Sequence, residues 1–100
     1  MEKITLQTVR LVNKFFAGDE NNLVVSKLID ECGNNLPCCE DSSPTDLERV
    51  RFAVIKLSNG NLTDFESAVI LAKIDWRDLL VNAEFANDTN AHISWANSVV

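Results

Sequence analysis

Tyrosine is absent from this chain. Glycine, proline, methionine and histidine are scarce, with three Gly, two Pro, one Met and one His in 100 residues. So few turn-formers exclude a collagen-like or linker-rich chain and argue against a turn-dense all-β architecture. The glycines, Gly18, Gly33 and Gly60, stand alone, so the glycine-rich loops that cradle phosphates are missing. With one histidine, any histidine-dependent mechanism must use His92. No uncharged apolar run reaches the roughly 18 residues of a membrane span. The opening MEKITLQTVRLVNKFF lacks a basic stretch followed by a clean apolar one, so it does not read as a secretory leader. Cytoplasmic residence with free thiols is the expectation.

What is present is apolar mass and negative charge. Hydrophobic residues make up 46% of the chain, enough for one domain with a real core. The formal charge is −6 and the isoelectric point about 4.6. Residues 1–60 carry a balance of −2 and residues 61–100 a balance of −4. Such a protein is repelled on average by nucleic acid and by anionic membranes, so neither is an expected partner. A basic protein partner suits the C-terminal part, as does a plain solvated face. Asn61-Leu62-Thr63 and Asn87-Asp88-Thr89 fit the glycosylation pattern but read here as turn and cap residues.

Periodicity predicts an all-α, compact, single-domain bundle of five to six short helices spanning 1–100. Residues 3–17 fit a helix through Ile4, Thr8, Leu11, Val12 and Phe15, although Ile4-Thr5-Leu6 also suits a strand. A second helix is expected over 21–32, with Leu23, Val24, Leu28, Ile29 and Cys32 on one side. Residues 33–44, GNNLPCCEDSSP, form a loop. Pro44 then opens a helix over 44–58 on the stripe Leu47, Val50, Val54 and Leu57, with Ala53 filling in. Its outer side is expected to carry Asp46–Arg49 and Glu48–Arg51 pairs. A fourth helix, 64–73, follows a Thr63-x-x-Glu66 capping box and faces inward through Phe65, Val69 and Ala72, beside Ala68 and Leu71. Asp75 caps a fifth over 75–84, whose inner face holds Ile74, Trp76, Leu79, Leu80 and Ala83. The last, 90–97, carries His92, Trp95, Ala96 and Val99 on one stripe.

Three constellations invite a functional reading. The helices 64–73 and 75–84 have the spacing of a helix-turn-helix, with Ile74 under the turn and Lys73 where such motifs usually have Gly. The second helix, however, holds Asp75, Asp78 and Glu84 against Arg77 alone, the wrong charge for reading bases. Cys32, Cys38 and Cys39 are weak metal or redox candidates, with His92 as a fourth ligand. Their spacing is not that of a zinc site, and Glu40 and Asp41 disfavour a reactive thiolate. The bland alternative is one core thiol and two loop thiols. Finally, two Trp and five Phe without a cofactor motif suit buried packing plus one apolar patch. Trp76, Phe85, Ile93 and Trp95 are the candidate partner-binding residues.

The stretch from Leu47 to Asp88 resembles small uncharacterised bacterial proteins. In these a Lys-Leu-Ser-Asn-Gly-Asn-Leu turn, here residues 56–62, precedes an Ala-Lys-Ile-Asp-Trp-Arg-Asp-Leu-Leu helix, here residues 72–80. The resemblance implies a bacterial, cytosolic, all-helical domain and carries no activity; residues 1–44 lie outside it. The leading expectation is a non-enzymatic protein-interaction domain without catalytic residues or cofactor. Its partner is a second copy of itself, as a homodimer, or a basic protein that it antagonises in an immunity-type role. The alternative is a thiol-based metal or redox protein. DNA binding ranks third.

Overall fold

The computed structural model describes residues 5–16, 18–32, 44–88 and 90–99, with the side chains of its third helix described from residue 47 onward. These residues form α1 (Leu6–Phe15), α2 (Asp19–Glu31), α3 (Pro44–Ser58), α4 (Leu62–Ile74), α5 (Trp76–Asn82) and α6 (Ala91–Val99). The chain is all-α, with no strand among the described residues. The strand option for the first segment therefore falls away. Ile4 and residues 33–43, where a loop is expected and where Cys38 and Cys39 fall, lie outside the described residues.

α3 is the central helix. Residues 50–55 are buried without interruption, so α3 is covered on all sides by α1, α4, α5 and α6. This overturns the expected single stripe and takes Arg51 off the outer side where its pair with Glu48 is expected. Arg51 is only 5% exposed and points inward, Arg49 reaches the turn after α5, and the Glu48 carboxylate instead accepts from the Thr5 hydroxyl at 2.5 Å. The Asp46 side chain lies outside the described ones.

Around α3 the expected inner faces mostly appear. α1 buries Thr8, Leu11 and Val12, and α4 buries Phe65, Ala68, Val69 and Ala72. α6 buries His92 and Ala96, while Trp95 and Val99 pack half-buried against the core. On α2, Val24, Leu28 and Cys32 are buried, but Leu23 faces outward.

Caps fix where the helices begin and end. The Thr63 capping box is displaced by Asn61, whose extended backbone lets Oδ1 accept the Asp64 N–H at 3.1 Å. Asn59 and Gly60 set that position by turning the chain with positive φ values of 50° and 80°. A Cβ at Gly60 would also meet the Phe15 carbonyl oxygen at 3.1 Å. Asp75 alone separates α4 from α5: its N–H bonds back to the Leu71 carbonyl and its Oδ1 accepts the Asp78 N–H.

α5 ends two residues earlier than expected. Glu84 takes φ 67°, its N–H bonds to the Val81 carbonyl at 3.0 Å, and the Phe85 N–H bonds to the Leu80 carbonyl at 2.8 Å. This pair of bonds is the left-handed C-terminal cap that glycine usually supplies. It swings Phe85 inward beneath α6, where its ring lies 5.8 Å from that of Trp95.

Candidate functional site

Of the four residues expected at a partner surface, only Ile93 is exposed. Phe85 is 1% exposed and belongs to the core. Trp95 is half-buried in a ring cluster, stacked on Phe15 at 6.0 Å and tilted against Phe52 at 6.3 Å and Phe85 at 5.8 Å. Trp76 is also half-buried, and the Arg77 guanidinium lies 5.3 Å from the centre of its ring. Ile93, on α6, is exposed. Neither tryptophan stands free as a docking knob.

The distribution of charge has a structural cause. Three cations of α3 are directed at main-chain carbonyls near the C-terminal ends of other helices. Arg51 Nε donates to the Cys32 carbonyl, which closes α2, at 3.0 Å. Lys56 Nζ donates to the Ala83 carbonyl, which closes α5, at 2.8 Å, and sits 5.1 Å from the Phe85 ring centre. Arg49 Nη2 donates to the Phe85 carbonyl at 2.5 Å and the Ala86 carbonyl at 3.2 Å. Positive groups at helix C-termini meet the negative end of the dipole, so these positions stabilise the fold.

Two further cations, Lys27 and Lys73 of α2 and α4, are engaged by Glu66 and Glu31 respectively. Those pairs hold the Lys27 ammonium above its ordinary pKa and the Glu31 carboxyl below its own.

The carboxylates point the other way. Asp75, Asp78, Glu84 and Asp88 are all exposed, and Arg77 is the only cation in the segment from 75 to 88. Val81, 57% exposed, lies among them on the outer side of α5. The result is an anionic edge running from the start of α5 through the turn toward α6.

A second surface lies on α4. Ile70 and Ile74, one turn apart, are 55% and 77% exposed. The expectation that Ile74 packs under a helix-helix turn is therefore wrong. A groove of about 190 Å³ runs between α2 and α4, lined by Lys27, Glu31, Glu66, Val69, Ile70 and Lys73. The two ion pairs cross it. Sequence reasoning missed this face because the apolar residues of LTDFESAVILAKI surround the helix rather than forming a stripe.

The geometry weighs against the helix-turn-helix reading and bears on the thiol reading only at Cys32 and His92, since Cys38 and Cys39 lie outside the described residues. Cys32 is fully buried, and burial pushes its thiol up to about 12, partly offset by the nearby Arg51 charge. Its sulfur is thus a protonated packing group at neutral pH. His92 is buried edge-on to Phe52 and Phe85, with ring centres 5.4 and 6.2 Å away. Among the described residues no three His, Cys, Asp or Glu side chains gather as a metal site would require. α4 and α5 are separated by one residue, shorter than the three- or four-residue turn of a helix-turn-helix. No helix among the described residues is long and apolar enough to cross a membrane.

Comparison with protein-family models, with curated proteins and with solved structures finds no match to this chain.

Proposed function

We propose that this chain is a non-enzymatic protein-binding domain that receives a cationic protein on its anionic edge, in the manner of a small acidic antagonist. The observation that carries the reading is the division of charge. Arg49, Arg51 and Lys56 are spent on main-chain carbonyls, while Asp75, Asp78, Glu84 and Asp88 face solvent. An excess of exposed carboxylates focuses a negative potential, which speeds encounter with a positive surface by roughly 10- to 1,000-fold. Val81 and the half-buried Trp76 add apolar area within the edge. The same charge weighs against binding to a DNA duplex. The protonated, enclosed Cys32 weighs against thiol chemistry at that position.

The test is affinity capture by the wild-type chain beside the doubly reversed variant Asp78→Lys/Glu84→Lys, with circular dichroism confirming that the variant folds. The expected result is a basic protein retained by the wild type and lost by the variant. A neutral or acidic partner, equal capture by both chains, or no partner from the native source would each overturn the proposal.

A further inference from the structure

The outer face of α4 is built to receive its own copy, and we infer that two chains associate through it, antiparallel, about a twofold axis near Ile70. Thr63, Ser67, Ile70 and Ile74 follow one another along the exposed face at helical spacing. The two small residues occupy its N-terminal half and the two isoleucines its C-terminal half. Glu66 and Lys73 flank the row on the side toward α2, the acid in the N-terminal half and the base in the C-terminal half.

An antiparallel twofold through Ile70 exchanges the halves. It sets Ile70 against Ile70, brings each Ile74 over the small Ser67 of the other chain, and places Glu66 across from Lys73. A parallel twofold would instead carry Glu66 and Lys73 to opposite sides of the seam, where the two charges could not pair across it, and leave the isoleucines crowded at one end. This self-complementarity is what a closed dimer requires of a single surface patch. Glu66 and Lys73 each keep an intramolecular partner, Lys27 and Glu31, and would gain a second across the axis. Exposed ion pairs add little strength, so their role is to set orientation, while the isoleucines supply the buried area. Each chain carries −6, so moderate salt relieves repulsion between copies and strengthens the dimer. Capture of a cationic partner has the opposite salt dependence, so the two proposals stand or fall separately.

Sedimentation velocity of the full chain over a range of concentrations is the first test. A monomer–dimer equilibrium is expected, weakened at least about tenfold by Ile70→Asp or Ile74→Asp, which change exposed positions and leave the core intact. Cysteine crosslinking supplies the second. In a Cys38→Ser/Cys39→Ser background, Ile70→Cys should form an intermolecular disulfide under mild oxidation and Val81→Cys should not. A monomer at every concentration, a dimer indifferent to both aspartates, or crosslinking equal at the two positions would overturn the inference.

Discussion

Arg51 Nε lies 3.0 Å from the carbonyl oxygen of Cys32, joining the middle of the central helix to the residue that caps the C-terminus of α2. Arg51 is buried, and burial lowers its pKa. A charge so enclosed is retained because it satisfies a helix end that has no intrahelical donor.

Replacing it by a side chain of similar length and no charge removes that bond. Arg51→Met should lower stability by about 2 kcal/mol, the usual worth of a charge-assisted bond. The loss will appear as a reduced urea midpoint with an unchanged slope.

Cys32 gives the fold a pH dependence at the alkaline end. Its thiol titrates near 9.0 when exposed and is pushed up to about 12 by burial. Between those values the unfolded chain releases a proton that the folded chain retains. Stability is therefore intact below pH 9 and declines above it, by at most about 1.4 kcal/mol per pH unit. Urea titrations from neutral pH upward should show this decline in the wild type and a shallower one in Cys32→Ala, where only other groups titrate.

Glu84 holds a backbone conformation that favours glycine, with φ 67°. Glu84→Gly should stabilise the fold by about 0.5–1 kcal/mol by relieving that strain at the α5 terminus, offset by the greater freedom of glycine in the unfolded chain. Thermal denaturation will register it as a rise in midpoint. A fall would mean that the Glu84 side chain contributes more than its backbone costs.

Phe85, read from sequence as a surface residue, is a core residue by position. Its ring touches those of His92 and Trp95, and its N–H and carbonyl are both engaged. Phe85→Ala should cost about 3–5 kcal/mol, a large share of the total for a domain of this size. Ile93→Ala, at an exposed site on α6, should change stability by less than about 0.5 kcal/mol. Chemical denaturation of the two variants side by side checks the contrast.

The helices were legible because their faces recur at helical spacing and because Asp75 and Asn59-Gly60 announce boundaries. Two errors have a common origin. Asn61 and Thr63 are both good caps, and only the left-handed Asn59-Gly60 turn selects the first. Glu84 ends α5 without the glycine that would mark the place, so periodicity extends the helix to residue 84 and gives no sign that Phe85 turns inward. The surfaces were harder to read. Whether Arg49, Arg51 and Lys56 face solvent or a neighbour's carbonyl depends on which helices surround α3, and no local pattern encodes that. The outward turn of Ile70 and Ile74 was hidden by the evenly apolar sequence of α4. The overall excess of acid in residues 61–100 is plain in the sequence; its concentration along one edge is not.

Attraction between the anionic edge and the positive partner proposed for it is measured directly by the rate of association. Stopped-flow mixing of the chain with a cationic protein retained in the capture experiment, across ionic strengths from about 0.01 to 0.5 M, should show the rate constant falling steeply as the charges are screened. At the lowest salt, Asp78→Lys/Glu84→Lys should associate at least about tenfold more slowly than the wild type. A rate constant indifferent to salt and equal for both chains would contradict the account.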